Sequence, residues 1–260
     1  MSLGDPQRLT SWEARIVAAL PRGWRIECYS EVPSTMDTAR GFSVRPGEAA
    51  LVMTERQPQG RGRQGRSWVA PSAGFLGTFI FTTGRQVNAL GGFSLAAGVA
   101  VYEVLRELGC HVGLKWPNDL LTPDGRKIGG ILVELVPSGD LTTVLTGVGV
   151  NLAGEPQGVA GVTSVETLGG TPIAPSDFAI RLAEKLWGIW LEFEAHGLET
   201  IRHRWLEVAL YVGDVIGVDL GQETVRGVFT GIDSIGRMVL DDGGTARVVA
   251  AGHIVERPGL

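Results

Sequence analysis

The spacing of hydrophobic and polar residues changes several times along the chain, and each spacing indicates a helix or a strand. Apolar residues recur at helical spacing in four segments, which predicts helices at residues 11–20, 94–108, 177–195 and 198–209. Apolar runs rich in β-branched and aromatic residues predict strands at residues 26–29, 49–57, 74–83, 111–116, 128–136 and 141–150. A short helix is also expected from Pro33 to Arg40. Helices and strands are therefore mixed over the first 210 residues.

The pattern changes near Val212. Short apolar strands separated by Gly, Asp or Ser fill the rest of the chain, and this spacing is typical of a small antiparallel barrel. A segment of about 45 residues is marginal for independent folding, so we expect the barrel to dock on the preceding part. The sequence predicts two domains, residues 1–210 and residues 211–260.

Composition narrows the class of protein. The 260 residues carry a formal charge of −5 and are 44% hydrophobic and 20% charged, as in ordinary globular proteins. We find no signal-peptide pattern and no apolar run of membrane-span length, and Cys28 and Cys110 match neither a disulfide framework nor a metal spacing. We therefore expect a cytoplasmic protein without a structural metal. Mg²⁺ carried by a nucleotide would leave little trace in a sequence.

Residues 60–66, named here the Gly-Arg loop, read GRGRQGR. The loop matches the G-x-G-x-x-G dinucleotide fingerprint, but no Asp or Glu lies between Arg56 and Tyr102 to bind a ribose hydroxyl, so we reject a Rossmann site. Residues 56–102 instead form a zone of five arginines without a carboxylate. Arginine forks and glycine N–H groups suit a small, highly charged anion. A solvated basic turn and an Arg-Gly segment that binds RNA are the alternatives.

Two lysines stand in neighbouring motifs. KWPND, residues 115–119, follows a predicted strand, and GRKIGGILVE, residues 125–134, begins shortly after it. A turn between them could bring Lys115 and Lys127 to one cleft, where they would complete a cage for a triphosphate. Taken alone, each lysine would be interpreted as a surface strand end.

Two further motifs carry polar or glycine-rich patterns. GVGVN, residues 147–151, has alternating glycines that are typical of a close backbone approach or a bulge. PST, residues 33–35, offers two hydroxyl groups at a helix start. Simple helix capping is the plainer interpretation of those hydroxyls.

Together these motifs resemble the biotin protein ligase family. PST at 33–35, QPQGRGRQGRSW at 57–68, KWPNDL at 115–120, GRKIGGILVE at 125–134 and GVGVNL at 147–152 occur in the family's order and spacing. The resemblance covers residues 25–257. It implies an α+β fold, in which a mixed central β-sheet flanked by helices, as in class II synthetases, is followed by an SH3-like antiparallel β-barrel.

The resemblance also implies a two-step reaction. The carboxylate of biotin attacks the α-phosphorus of Mg-ATP to give biotinyl-5′-AMP and pyrophosphate. A lysine of a biotin carboxyl carrier protein, a subunit of acetyl-CoA carboxylase or a related carboxylase, then attacks the mixed anhydride and AMP leaves. The charge pattern suits this chemistry, because phosphoryl transfer depends on positioning and charge neutralisation. The implied cofactors are ATP, biotin and Mg²⁺.

Matching by position implies roles for individual residues. The resemblance implies catalytic roles for Lys127, Lys115, Arg61 and Asp119. Biotin contacts fall to Ser34, Thr35, Met36, Gln57, Gly60, Arg61, Gly62, Arg63, Lys127, Gly130 and Gly149. Nucleotide contacts fall to Arg61, Arg63, Arg66, Trp68, Lys115, Asn118, Lys127 and Asn151. Met36 stands where the family usually has Asn, so it is expected to contribute only through its backbone.

Three rival functions remain open at this point. A lipoate or octanoate ligase would share the fold and the adenylate chemistry, but its substrate lacks the polar ureido head that PST and Gln57 would bind. A non-catalytic biotin sensor would not need Lys115 and Lys127. Nucleic-acid binding by the barrel is disfavoured, because residues 212–257 carry seven acidic and four basic residues.

The region before the first motif bears on the type of ligase. Too few residues precede Pro33 for a winged-helix DNA-binding domain. We therefore expect a monofunctional ligase that binds neither nucleic acid nor membrane. The resemblance is also compatible with a homodimer formed by sheet extension.

Overall fold

The computed structural model describes residues 7–257, which form five α-helices and two β-sheets. The helices are α1 (Thr10–Ala19), α2 (Thr35–Ala39), α3 (Phe93–Glu107), α4 (Pro175–His196) and α5 (Glu199–Glu207). The first seven strands are β1 (Trp24–Glu31), β2 (Ala49–Arg56), β3 (Ala73–Thr83), β4 (Gly113–Lys115), β5 (Asp119–Leu121), β6 (Lys127–Ser138) and β7 (Leu141–Ala153). Every helix and strand predicted before residue 210 is present, with ends that differ by a few residues.

The larger sheet has the order β1-β2-β3-β7-β6-β5-β4, in which β1 and β2 are parallel and the remaining neighbours are antiparallel. Helices α1, α3 and α4 cover one face, where Phe81 of β3 stacks on Trp190 of α4 with ring centroids 4.8 Å apart. On the other face α2 packs Met36 against a smaller apolar cluster that includes Ile80. The predicted mixed sheet flanked by helices is confirmed.

The smaller sheet follows α5 and is antiparallel. Its strands are β8 (Val215–Asp219), β9 (Thr224–Ile232), β10 (Met238–Asp242), β11 (Thr245–Val249) and β12 (His253–Glu256). They are ordered β11-β10-β9-β8-β12, and within the described residues no ladder joins β11 to β12 to close the sheet. Its interior residues, such as Phe229 and Leu240, are buried and continue the main apolar core. The predicted docking of this segment on the larger part is confirmed.

Two side chains of the KWPND motif fix the smaller sheet in place. Trp116 is buried, and its Nε1 donates a hydrogen bond to the carbonyl of Gly236, between β9 and β10, at 3.0 Å. Lys115 Nζ donates to the carbonyl of Ile254 in β12 at 3.2 Å. The motif that ends β4 therefore positions β12 beside the larger sheet.

One stretch, Val87–Glu107, is long and apolar enough to cross a membrane by length and composition, with a mean hydropathy of 1.3. This finding differs from the expectation that no apolar run reaches the length of a membrane span. In the structure 56% of its most apolar window is buried, and α3 within it packs in the core between the sheet and α4. This placement is that of the core helix of a folded domain.

Candidate active site

A cleft, named here the sheet cleft, opens over β6 and β7 where glycines replace side chains. Gly130 pairs across the strands with Gly149, and Leu132 pairs with Gly147. A Cβ on Gly149 would lie 2.5 Å from Trp68 Cε2, and a Cβ on Gly147 would lie 2.7 Å from Met36 Sδ. Only glycine therefore lets these two side chains lie against the sheet. The cleft has a volume of about 840 Å³ with its open mouth included, within the range of small-molecule sites.

The structure brings most of the predicted site residues to this cleft. Its lining includes Ser34, Thr35, Met36, Gln57, Arg61, Gly62, Arg63, Arg66, Trp68, Asn118, Asp119, Lys127, Gly130 and Gly149. Gly60, Lys115 and Asn151 are not part of the lining. Gly60 lies at the base of the Gly-Arg loop, where its carbonyl accepts a hydrogen bond from Trp68 N at 2.9 Å.

Asn151 is buried behind the cleft. Its Nδ2 donates to the carbonyl of Thr163 at 2.9 Å, and its Oδ1 has no partner among the described residues. Thr163 N in turn donates to the carbonyl of Lys127 at 2.9 Å. Asn151 therefore supports the strand that carries Lys127 and has no direct access to the cleft.

Polar groups at the start of α2 form one end of the cleft. Ser34 is 1% exposed, makes no capping hydrogen bond, and its Oγ has no partner among the described residues. The capping interpretation of Ser34 is therefore wrong. Gln57 Oε1 accepts hydrogen bonds from Thr35 N at 3.3 Å and from Thr35 Oγ1 at 3.5 Å, and Thr78 Oγ1 donates to Thr35 Oγ1 at 2.9 Å. This end of the cleft can both donate to and accept from a polar ligand head.

The Gly-Arg loop forms a small hairpin over the cleft. Gly62 N donates to the carbonyl of Arg66 at 2.7 Å, and the left-handed backbone of Gln64 and Gly65 makes the turn. Arg61 is anchored away from the turn, because its guanidinium contacts Asp37 of α2 and Glu134 of β6, each at 2.8 Å. These two ion pairs hold the base of the loop against both walls of the cleft.

The five arginines of residues 56–102 do not form an unopposed cationic zone in space, because carboxylates distant in the sequence reach two of them. Arg56 pairs with Glu31 at 3.2 Å and Arg61 with the two carboxylates named above. Arg85 donates to the carbonyl of Phe193 at 2.6 Å. Within residues 7–257, Arg63 and Arg66 alone of the five have no carboxylate partner or helix carbonyl to bind.

Lys127 is held between an acid and an aromatic ring. Its Nζ lies 2.6 Å from Asp119 Oδ1 and 5.5 Å from the centroid of the Trp68 ring. Asp119 pairs with Gly130 in the sheet, so β5 and β6 fix this geometry. Arg63 Nη1 donates to Asn118 Oδ1 at 3.4 Å, and burial lowers the pKa of Arg63.

A second cavity, named here the cationic cavity, adjoins the sheet cleft and has a volume of about 880 Å³ with its mouth included. It is lined by Arg66, Lys115, Asp119, Leu121, Gly125, Lys127, His253, Ile254, Val255 and Arg257. The predicted convergence of Lys115 and Lys127 on one cleft is therefore present in the structure. Burial lowers the pKa of Lys115, and Asp119 opposes that shift.

Four side chains line both spaces and are named here the shared wall: Arg66, Asp119, Lys127 and His253. His253 begins β12 of the smaller sheet and Gly252 directly precedes it, and neither residue was predicted from the sequence. No local pattern indicates that β12 returns to the larger sheet. Gly147 and Val148 also line the cleft and were not predicted. The period-two spacing of Gly147 and Gly149 in β7 could have placed Gly147 beside Gly149.

Comparison with known proteins agrees with this architecture. The sequence profile of the Biotin/lipoate A/B protein ligase family matches residues 30–151. Among solved structures, a mutant biotin protein ligase from Aquifex aeolicus in complex with biotin superposes with a TM-score of 0.74 at 23% identity, covering 88% of this chain and 97% of that one. The fold is that of a biotin protein ligase.

Relatives at higher identity define the family. The biotin--[acetyl-CoA-carboxylase] ligase of Paracoccus denitrificans is 33% identical over 229 residues, which is 83% of this chain and 95% of the relative. The ligase of the same description from Mycobacterium tuberculosis is 32% identical over 244 residues, 90% of each chain. The chain therefore belongs to the biotin protein ligase family.

Proposed function

We propose that this protein activates biotin with ATP to biotinyl-5′-AMP and transfers the biotinyl group to a lysine of a biotin carboxyl carrier protein. The observation that carries the proposal is the junction of two spaces at Lys127. A glycine-floored cleft with a polar end meets a cavity lined by cations, and a carboxylic acid in the first would meet a triphosphate in the second. Family membership supports the same reaction.

In this proposal the sheet cleft holds biotin. The ureido head lies at the polar end with Ser34, Thr35 and Gln57, and the unpartnered Ser34 hydroxyl supplies one hydrogen bond. The apolar part of biotin lies over Gly147 and Gly149, and the carboxylate points towards Lys127. Met36 provides an apolar surface to the ligand in addition to its backbone.

The cationic cavity would receive the phosphates. Arg66, Lys115 and Lys127 line this cavity and Arg63 lies on the adjoining sheet cleft. Together they neutralise the charge that develops as pyrophosphate leaves, which is the main requirement of phosphoryl transfer. Asp119 aligns Lys127 through their ion pair. Arg61 acts indirectly, because its ion pairs position the loop that carries Arg63 and Arg66.

Mg²⁺ would be held mainly by the nucleotide. Within residues 7–257 no three His, Cys, Asp or Glu side chains cluster to bind an ion, and Mg²⁺ in nucleotide enzymes commonly takes one carboxylate together with phosphate oxygens. Asp119 is the carboxylate on the shared wall that could serve. The ion would add charge neutralisation at the phosphates.

The remaining assignments concern organisation and partners. We place the adenylation chemistry in residues 1–210 and assign residues 211–260 as a second, SH3-like domain that contributes one wall of the site. We propose a cytoplasmic protein whose macromolecular partner is the carrier, and a homodimer formed by sheet extension.

The test of this function combines the protein with ATP, Mg²⁺, biotin and a purified carrier domain. The expected product is a carrier heavier by one biotinyl group, with ATP converted to AMP and pyrophosphate. A carrier with its acceptor lysine replaced by arginine, and a reaction without ATP, are the controls. An unmodified carrier in the complete reaction would refute the proposal.

A further inference from the structure

His253 lies where the two spaces of the site meet, and this position belongs to the smaller sheet. It begins β12, pairs across to Asp219 of β8, and is half-buried. The contact between Lys115 Nζ and the carbonyl of Ile254 fixes the adjacent backbone. Its imidazole is therefore held at the junction by elements of both sheets.

The chemistry at that junction follows from the contents of each space. If biotin occupies the sheet cleft and phosphates occupy the cationic cavity, the mixed anhydride spans the shared wall. The carbonyl carbon that the carrier lysine attacks then lies beside the four side chains of that wall. This step rests on the proposed function.

The acceptor lysine arrives as an ammonium and must lose a proton before it can attack. On the shared wall Arg66 and Lys127 are cations, and Asp119 already accepts from Lys127 at 2.6 Å. Among the hydrogen bonds and ion pairs of residues 7–257, none involves the His253 side chain. Besides the Asp119 carboxylate, whose Oδ1 binds Lys127, His253 is the group of the wall that offers a lone pair to a proton.

The surroundings of His253 favour its neutral form. Lys115 of β4, Lys127 of β6 and Arg66 of the Gly-Arg loop face it, and Asp119 of β5 is the opposing carboxylate. Burial first, and these cations next, lower the pKa of His253 below its ordinary value. Arg257 adds a further positive charge to the same cavity.

We propose that His253 is the general base of the transfer step. Neutral His253 takes one proton from the lysine ammonium, and the resulting amine attacks the anhydride carbonyl. The new C–N bond forms as the C–O bond to phosphate breaks, and AMP leaves with the bonding electrons. The second nitrogen proton is lost to the departing AMP or to solvent, so the products are the amide, AMP and the histidine cation.

The test separates the two half-reactions. Adenylation is followed by pyrophosphate exchange, and transfer by a single turnover of preformed biotinyl-5′-AMP onto the carrier. For His253→Gln we expect the transfer rate at pH 7 to fall by about 10²-fold, the usual size of general-base assistance, and the adenylation rate to fall by much less than the transfer rate. His253→Glu, which restores a base, should recover part of that rate. His111→Gln, at an exposed histidine outside the site, is the matched control.

Two readouts distinguish a base from a structural group. The parent's transfer rate should rise with pH through an apparent pKa below the ordinary value for histidine, and this limb should disappear in His253→Gln. Hydroxylamine, a nucleophile that is already neutral at pH 7, should react equally well with adenylate bound to either protein. An unchanged rate of transfer to the carrier in His253→Gln would overturn the assignment. So would a loss of rate with hydroxylamine as large as the loss with the carrier. Absence of biotin-dependent exchange in the parent would instead refute the proposed function.

Discussion

The Nζ atom of Lys127 lies 2.6 Å from Asp119 Oδ1 and above the ring of Trp68, at the wall common to the sheet cleft and the cationic cavity. Lysine is a compact charge that a carboxylate can direct. The strand pairing of β5 with β6 fixes both partners before any ligand binds. The arrangement therefore supplies a prepositioned cation at the point where an acid and a phosphate would react.

Replacement of that cation should affect the chemistry more than binding. For Lys127→Ala we expect adenylation slower by about 10²–10³-fold, as for loss of one prepositioned charge-stabilising group, while biotin binding stays measurable. Pyrophosphate exchange and calorimetric titration with biotin measure the two quantities. Lys185→Ala is the control. Lys185 lies on α4 and pairs with Glu107 of α3, outside the cleft's lining, so the adenylation rate of this variant should equal that of the parent. Adenylation at the parent rate would show that Lys127 does not stabilise the reacting phosphate.

Asp119 should tune the pH dependence of adenylation through Lys115. The pKa of Lys115 is lowered by burial, and the charge of Asp119 partly restores it. Because the cation is lost as pH rises through this pKa, the rate should fall on the alkaline side below the usual range for lysine. Asp119→Asn should move that fall to still lower pH. Asp124→Asn, at an exposed acid, should leave the profile unchanged, and an unmoved alkaline limb in Asp119→Asn would contradict the coupling.

Gly149 should tolerate no side chain. A Cβ there would lie 2.5 Å from Trp68 Cε2, so Gly149→Ala should displace the indole and weaken biotin binding by about tenfold or more, within the cost of overpacking. Gly188→Ala in α4 is the control, because a Cβ there meets nothing within 4 Å and a helical Gly-to-Ala change usually stabilises by about 0.5–1 kcal/mol. Titration with biotin measures the difference, and equal affinity in both variants would mean that Trp68 is not part of the binding surface.

The ion pairs of Arg61 should act as one unit that positions the Gly-Arg loop. Glu134→Gln and Asp37→Asn each remove one partner of a half-exposed arginine. Since exposed ion pairs contribute about 0.2–1 kcal/mol, each variant should raise KM for ATP by about 1.4- to fivefold. In an Arg61→Ala background the same substitutions should have no further effect. Full additivity in this cycle would show that the carboxylates act independently of Arg61.

The fold and much of the candidate site could be predicted because both depend on local patterns. The glycines of β6 and β7 and the lysines of residues 115 and 127 are visible as motifs, and the structure places them along one cleft. The net charge around the Gly-Arg loop was predicted less well. Asp37 and Glu134 neutralise Arg61, and they lie 24 and 73 positions away from it in the sequence. His253 carries no motif at all, since its place depends on how the smaller sheet docks.

The measurement that tests the central claim most directly is ATP–pyrophosphate exchange with biotin, lipoate and octanoate supplied separately. Exchange is expected with biotin alone, because Ser34, Thr35 and Gln57 form a polar end of the cleft that suits a ureido head. Exchange with lipoate or octanoate and none with biotin would contradict the assignment of the cleft. Biotin binding without any exchange would contradict the catalytic role of the cationic cavity.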